Sequence, residues 1–441
     1  MQESRGRYTV EMLTRTGPGT PGGDLLRRFW QPVALVRDVG EDPAPVRVMG
    51  ENLVLFRDDN GMLGLLGAKC AHRCADLSFG RVEDGGLRCV YHGWLFDRSG
   101  RCLDQPGEPE GGVNRDKVRQ IAYPVMEAGG AVWAYMGPGE PPEFPRFPAV
   151  VAPDAYRLTE RWHSACNWLQ ALEGDVDPVH TSYLHRHDTA HLPASRQKSM
   201  RTMHANGAPR LSIADTRFGI RIFAERTAEN PSEKILRVTN FVMPNACAIA
   251  GSESHLGRGG CTMNWQVPID DESHWRYEFM FHSKKPMAKE AIVAAYNSEK
   301  AEGDRPRRNA ENRYQQDRRD MREKTYTGMG YVFPVHDLFV TESQGPIHDR
   351  SCEFLATSDV AIVRMRRQLL EAVAGLETGA DPRGVVRAPQ EADFSDVVVM
   401  AQQVEASVDG NELCEALGRE NIYQLDPAVA EEASAGVSAG G

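Results

Sequence analysis

The sequence Cys70-Ala71-His72 is followed, sixteen residues later, by Cys89-Val90-Tyr91-His92. Two thiolates and two imidazoles are the ligand set of a two-iron, two-sulfide cluster in which histidines bind one of the irons. The same mixed set can bind a tetrahedral zinc ion, although paired ligands of structural zinc sites are normally two to four residues apart. Residues 93–97 are predicted as a tight turn into a strand rather than the helix of a zinc finger. An iron–sulfur cluster is therefore the favoured interpretation, with zinc as the alternative.

The sequence around these ligands is typical of short antiparallel strands. From about residue 46 to 133, apolar and polar residues alternate over short runs that glycines interrupt. Residues 53–57 and 62–66 are predicted as two strands joined by a turn, and a further strand over 87–90 follows the turn at 84–86. Both ligand pairs are therefore expected on loops at strand ends, where they can bind one cluster together.

A second group of metal-ligand residues follows residues 167–175 and consists of Asp177, His180 and His185. Two histidines five positions apart point about 140° apart on a straight helix, so they can bind one ion only if the helix ends or kinks between them. Spacing alone is weak support for a metal site. Two histidines and one carboxylate form the site at which ferrous iron activates O₂, and a one-electron cluster needs an electron acceptor of this kind.

The two motifs together resemble those of a known family. The pattern CxH…CxxHGW is similar to that of a Rieske domain, and Asp177-x-x-His180-x4-His185 resembles the mononuclear-iron motif of Rieske non-haem iron oxygenases. The surrounding residues are most similar to the α subunits of the phthalate dioxygenase branch, and the resemblance extends from about residue 8 to 375. It implies a [2Fe-2S] cluster bound by Cys70, His72, Cys89 and His92, and a mononuclear Fe(II) bound by His180 and His185.

The resemblance also implies a third iron ligand and an electron-transfer residue. In this family the third ligand is a distant aspartate, and the similarity of residues 342–355 and 358–359 to the family segment makes Asp359 the candidate. The alternative is that Ser358 or Asp359 only caps the helix that follows. Asp177, by resemblance, contacts His180 and a Rieske histidine of a neighbouring subunit, and so has a catalytic role. Glu173 and Asp175 are either further acids around the iron or part of a solvated acidic face.

The implied activity is that of an oxygenase component. It would use O₂ and electrons to hydroxylate, dihydroxylate or O-demethylate an aromatic compound, in the first place an aromatic carboxylate. Arg221, Arg226 and Arg237 lie on predicted strands and can supply the cation that a carboxylate needs.

Two alternatives are an electron-transfer protein without oxygenase activity and an oxygenase acting on a non-aromatic compound. The sequence has no strand-linked GxGxxG, so a separate reductase is expected. The family resemblance implies that this reductase is NAD(P)H-dependent and carries flavin and iron–sulfur centres. The family resemblance implies a homotrimer or a pair of trimers.

Composition limits the partners and the cellular location that can be expected. The 441 residues carry a formal net charge of −11, which disfavours nucleic acid as a partner. No run of eighteen apolar residues occurs, and the first residues lack the apolar stretch of a signal peptide, so no membrane association is expected and the cytoplasm is the predicted location. Nine cysteines, an odd number in a long chain, favour reduced thiols over a disulfide framework.

The predicted fold class is α+β, a small all-β Rieske domain followed by a larger catalytic domain with an antiparallel sheet flanked by helices. We expect an N-terminal arm over residues 1–27, the Rieske [2Fe-2S] domain over 28–140, the catalytic domain over 150–390 and a C-terminal segment over 391–441. A proline-rich stretch at 137–148 is the predicted linker. Helices are predicted at 287–302, 308–325 and 358–374, and the Ala-, Glu-, Ser- and Gly-rich residues 426–441 are predicted to be disordered.

Overall fold

The computed structural model describes residues 8–109, 112, 114–188, 206–250 and 259–424. The predicted disordered tail, 426–441, lies outside these residues. Among the described residues, the helices are α1 (Val10–Leu13), α2 (Pro21–Leu26), α3 (Pro148–Val151), α4 (Trp168–Val176), α5 (Lys289–Glu299), α6 (Arg318–Glu323), α7 (Phe333–Glu342), α8 (Val360–Leu376) and α9 (Gly410–Arg419). The strands of the first part are β1 (Trp30–Leu35), β2 (Ala44–Val48), β3 (Glu51–Arg57), β4 (Leu63–Gly67), β5 (Arg81–Glu83), β6 (Gly86–Arg88), β7 (Leu95–Asp97), β8 (Cys102–Asp104), β9 (Ala122–Tyr123), β10 (Val125–Ala128) and β11 (Ala131–Tyr135). Those of the second part are β12 (Arg157–Ser164), β13 (Arg210–Asp215), β14 (Gly219–Thr227), β15 (Glu233–Val242), β16 (Ala246–Ile249), β17 (Gly260–Pro268), β18 (His274–His282) and β19 (Met400–Glu405).

The N-terminal part is all β, as the alternating sequence predicts. It contains three small antiparallel sheets, in the orders β1-β11-β10, β2-β3-β4-β9 and β5-β6-β7-β8. Val54, Phe56, Leu66 and Phe96 are buried in a separate core that also includes Cys70 and Cys89 among its members. Because the cysteines are part of this core, the strands hold both ligand loops against one another.

The C-terminal part is built on one large antiparallel sheet, which confirms the α+β prediction. Its strand order is β12-β18-β17-β16-β15-β14-β13, and β19 pairs with the N-terminal half of β15. Arg221 and Arg226 lie on β14 and Arg237 lies on β15, so the strand positions predicted for these three residues are confirmed. Helix α4 packs on β16 and β17, α7 packs on α4, and α8 packs on β14. The sheet and these helices therefore enclose the segment that follows α4.

The helix predictions are confirmed in two of three places. Helix α5 falls within the predicted 287–302, and α8 corresponds to the predicted 358–374. The single helix predicted over 308–325 is wrong. Arg313 and Tyr314 have φ values of 51° and 56°, a left-handed conformation that no α-helix can continue, so a short 3₁₀ segment precedes α6.

The proline-rich segment at 137–148 is ordered and packed. The Trp30 Nε1–H donates to the Pro142 carbonyl (2.9 Å), and the Arg146 N–H donates to the Ala392 carbonyl (2.7 Å). Trp133 of β11 contacts Trp265 of β17, with ring centroids 5.3 Å apart. The two β-rich parts thus share one hydrophobic core, and the predicted domain boundaries remain a prediction.

A search of the described helices for membrane spans found none with the length and apolar character to cross a bilayer.

Candidate active site

The two cluster loops have the same backbone design. The N–H of Cys74 donates to the carbonyl of Cys70 (2.8 Å), and the N–H of Gly93 donates to the carbonyl of Cys89 (2.9 Å). Both residues at the fourth position after the cysteine are left-handed, with φ of 58° at Cys74 and 74° at Gly93. Each loop therefore turns back sharply behind its cysteine, and Cys74 occupies a position whose conformation favours glycine.

The side chains of these loops fit a shared cluster. The thiols of Cys70 and Cys89 lie within hydrogen-bonding reach, and burial raises the pKa of Cys70 to about 11. The rings of His72 and His92 are 4.5 Å apart, and the buried Nδ1 atom of each has no hydrogen-bond partner among the described residues. Two adjacent thiols and two unsatisfied imidazole nitrogens that converge in this way are explained by a bound metal group.

Helix α4 ends before His180, as it must if His180 and His185 are to bind one metal ion. The helix stops at Val176, and the carboxylate of Asp177 accepts hydrogen bonds from the N–H groups of Val179 (2.7 Å) and His180 (3.2 Å). His180 then begins a 3₁₀ turn, and the chain reverses so that the rings of His180 and His185 are 5.1 Å apart. The break that the five-residue spacing requires is present.

The carboxylate beside these histidines belongs to Asp337, not Asp359. His180, His185 and Asp337 each offer one ligand atom, and these atoms lie within 4.8 Å of one another. The Oδ1 atom of Asp337 is 3.0 Å from His185 Nε2 and 3.9 Å from His180 Nε2. Adjacent ligands of a six-coordinate metal are separated by about 3 Å at metal–ligand distances of about 2.1 Å, so the three atoms fit one ion with open positions.

The prediction for Asp359 is therefore wrong. Its carboxylate accepts a hydrogen bond from the N–H of Ala356 (2.7 Å), which stabilises the 3₁₀ turn Thr357–Asp359 before α8. Asp359 occupies the N-cap position of α8, but its side chain makes no capping hydrogen bond to that helix. Asp337 lies in the apolar helix α7, among Val335, Leu338 and Phe339. A single acid inside such an apolar run is the signal in the sequence that could have identified it.

The electrostatics of the triad formed by His180, His185 and Asp337 favour a bound cation. Burial alone would raise the pKa of Asp337, but His185, Arg276 and His180 together hold it far below its usual range. Burial alone would lower the pKa of His180, yet the carboxylates of Asp177 and Asp337 raise it. Asp177 and His180 are close, with 3.6 Å between Oδ2 and Nδ1. Each side chain of the site thus has a defined partner.

Glu173 and Asp175 do not form a solvated acidic face. Glu173 is buried and accepts hydrogen bonds from Arg350 and Arg366. Asp175 accepts hydrogen bonds from Asn264 (3.0 Å) and Gln266 (2.6 Å). Arg276 connects this acid to the triad, because its Nη1 lies 3.8 Å from Asp175 and 3.1 Å from the Oδ2 of Asp337. These buried partners orient α4 and Asp337 toward the same point.

Two cavities border the triad. The sheet-side cavity, of about 130 Å³, has walls that include Arg237, Ile249, Met280, Phe333 and Asp337. The helix-side cavity, of about 530 Å³, is bordered by residues that include Glu173, Asp177, Tyr183, Glu353 and Leu355. His180 and Asp337 line both cavities. A ligand on one side and a partner on the other can therefore approach the same metal position.

Comparison with known proteins decides the family. Residues 29–122 match the Rieske [2Fe-2S] domain, and residues 134–413 match the LigXa C-terminal domain like family. The phthalate 4,5-dioxygenase oxygenase subunit of Pseudomonas putida is 35% identical over 85% of this chain and 87% of its own length. The chain is a Rieske oxygenase subunit.

Two further relatives show the range of the family. The tert-butanol monooxygenase / tert-amyl alcohol desaturase oxygenase subunit of Aquincola tertiaricarbonis is 35% identical over 82% of this chain and 76% of its own length. The solved structure of the Pseudomonas putida NdmA QL mutant with theobromine has a TM-score of 0.57 and 17% identity, and covers 87% of this chain and 98% of that one. At this identity the structure supports the fold alone.

The predictions of fold, of enzyme class and of cofactors are confirmed. This Rieske oxygenase subunit has a [2Fe-2S] domain and a catalytic domain of the kind that carries mononuclear iron, and it is the oxygenase component of a multicomponent system. The individual ligands remain assignments from geometry.

Proposed function

We propose that this Rieske oxygenase subunit oxidises an aromatic carboxylate at an iron bound by His180, His185 and Asp337. The single observation that carries the proposal is an unpaired guanidinium, that of Arg237, in the wall of the sheet-side cavity beside this triad. The iron supplies O₂ activation when bound, and the cluster held by Cys70, His72, Cys89 and His92 supplies single electrons.

Unlike the two other candidate arginines, Arg237 makes no side-chain hydrogen bond or ion pair with any residue that the structure describes. Arg221 donates to Asn411 and to the carbonyl of Asp396. Arg226 donates to the carbonyls of Asn206 and Pro178 and to the Ser182 hydroxyl. Arg237 is 8% exposed, its Nε has no hydrogen-bond partner, and its side chain makes no ion pair within the described part of the chain. Burial lowers its pKa, which is the cost of an uncompensated cation.

The remaining walls explain an aromatic preference. Ile249 and Met280 on the sheet and Phe333 on α7 give the sheet-side cavity apolar surfaces. An aromatic acid can place its ring against these side chains and its carboxylate on Arg237 in a bidentate pair. The guanidinium then fixes the orientation of the ring, and the carbon held nearest the triad is the one oxidised.

The relatives support two substrate classes. Their names include phthalate, phenoxybenzoate and 3-chlorobenzoate dioxygenases and a dehydrodivanillate O-demethylase, all acting on aromatic acids. The tert-butanol monooxygenase subunit is equally similar and acts on an aliphatic alcohol, so oxidation of a small neutral compound is the second candidate function. The unpaired Arg237 favours the acid.

The test is a comparison of matched acids and amides. Holoenzyme is reduced with dithionite, exposed to O₂ for a single turnover, and offered benzoate, phthalate or methoxybenzoates, the corresponding benzamides, and tert-butanol, with product measured by mass spectrometry. We expect wild type to oxidise at least one acid and to reject its amide. The Arg237→Met variant should bind that acid about 100-fold more weakly, because a charged bidentate pair of about 3 kcal/mol is lost.

The control variant is Arg221→Met, since Arg221 is an equally buried strand arginine with structural partners. Its affinity for the acid should stay near the wild-type value. Oxidation of tert-butanol with no activity on any acid, or equal oxidation of acids and amides, would contradict the carboxylate assignment.

Electrons are proposed to enter from a second copy of the chain. Asp177 lines both cavities, and the helix-side cavity is also bordered by the exposed Leu355 (43%), whose sequence neighbour Phe354 is 99% exposed. The part of the chain around the cluster loops carries the exposed residues Phe79 (75%) and Tyr91 (56%). Two different apolar patches, one at each metal site, match a head-to-tail contact that closes into a ring. A homotrimer, a separate reductase and a cytoplasmic location remain predictions, and sedimentation velocity distinguishes a trimer or hexamer from a monomer.

A further inference from the structure

His336 contacts the triad without being one of its ligands. It precedes Asp337 on α7, has no exposed surface, and its Nδ1 lies 3.2 Å from the Nδ1 of His185. The two imidazole rings are nearly parallel, at 21°, with centroids 5.4 Å apart. The second nitrogen of His336, Nε2, lies 3.0 Å from the carbonyl oxygen of Gly330.

These contacts determine which nitrogen of each ring carries the proton. A carbonyl oxygen only accepts, so the Nε2 of His336 must donate to Gly330. A neutral imidazole has one N–H, and the Nδ1 of His336 is therefore an acceptor. The hydrogen bond between the two rings then requires an N–H on the Nδ1 of His185.

The position of the proton on His185 determines which of its nitrogens can bind a metal. With its proton on Nδ1, His185 presents the lone pair of Nε2 toward the Oδ1 of Asp337 at 3.0 Å. Two acceptors at this distance repel each other unless a cation lies between them. The tautomer that His336 selects is thus the one that binds a metal through Nε2.

We propose that His336 is a positioning residue that holds His185 in its metal-binding tautomer. The proposal rests on the assignment of His185 as an iron ligand under the proposed function. No sequence motif indicated it, since His336 is distant from His185 along the chain. The carbonyl of Gly330 fixes the proton on His336, and His336 fixes the proton on His185.

The test measures metal binding rather than turnover. Protein with an intact cluster is titrated anaerobically with Co(II), and the nitrosyl complex of its Fe(II) form is examined by electron paramagnetic resonance. His336→Phe keeps the ring and removes the acceptor, and we expect the dissociation constant for Co(II) to rise by about 10- to 100-fold. His336→Asn keeps an acceptor oxygen near the position of Nδ1 and should retain most of the affinity and the wild-type nitrosyl signal.

The matched control is His274→Phe, another histidine with no exposed surface, whose Nδ1 contacts the carbonyl of Cys166 at 2.7 Å. It should leave the dissociation constant for Co(II) unchanged while disturbing packing to a similar degree. Equal loss in the Phe and Asn variants of His336, or no loss in either, overturns the proposal. If His185→Ala also binds Co(II) like wild type, the iron-site assignment itself has failed, which separates the two conclusions.

Discussion

Replacement of Asp337 by alanine is expected to remove mononuclear iron and to reduce oxidation by at least about a hundredfold. The triad would keep two neutral imidazoles and lose its only carboxylate, whose Oδ1 lies within ligand distance of both histidines. Metal analysis and single-turnover product formation measure the two losses. The absorption spectrum of the cluster should be unchanged, because the Asp337 side chain is not part of the cluster loops.

Asp359→Ala supplies the comparison for this prediction. Removing the hydrogen bond from the Ala356 N–H in the turn before α8 costs about 1 kcal/mol of stability, and iron content and turnover should remain close to wild type. The opposite result, with iron lost from Asp359→Ala and kept in Asp337→Ala, would restore the ligand assignment first made from sequence.

The second large effect is expected for Asp177→Asn. This change is nearly isosteric and keeps one oxygen for the N–H of Val179, but it removes the negative charge 3.6 Å from the Nδ1 of His180. If Asp177 connects His180 to the cluster of a neighbouring copy, reoxidation of the reduced cluster in the presence of substrate and O₂ should slow by at least about a hundredfold, measured by stopped-flow absorbance.

Hydrogen peroxide provides the control for Asp177→Asn, because it replaces both O₂ and the electrons that the cluster otherwise delivers. Iron-loaded Asp177→Asn should form product with peroxide at a rate near that of wild type. Loss of the peroxide reaction as well would show that Asp177 acts on iron binding rather than on electron transfer.

The sequence predicted the cluster site more completely than the iron site. All four proposed cluster ligands lie between residues 70 and 92, and alternating strands around them are a local signal. Asp177, His180 and His185 are also local, and the helix end at Val176 brings the two histidines together as required. The third ligand, a carboxylate, could not be found in this way, because packing of α7 on α4 brings Asp337 to the histidines.

Asp359 was the candidate because residues 342–355 and 358–359 are similar to the family segment, although an aspartate at a helix start is also explained by capping. The roles of the three strand arginines were equally hidden from sequence. Arg221, Arg226 and Arg237 occur on similar strands, and only the structure shows that the first two donate side-chain hydrogen bonds whereas Arg237 makes none within the described ranges. Local pattern identifies residues that carry chemistry, whereas their partners depend on the folded chain.

The two cavities share a wall formed by Asp175, Asp177, His180, Arg276 and Asp337 and differ elsewhere, which has a consequence for how such enzymes diversify. Ile249, Met280 and Arg237 border only the sheet-side cavity, and Glu173, Tyr183 and Glu353 border only the helix-side one. If the sheet-side cavity binds the substrate as proposed, mutations of the first set change the substrate range and leave the proposed electron path intact. Natural selection can therefore change the residues that border one cavity without changing those that border the other, and a laboratory library can be restricted in the same way.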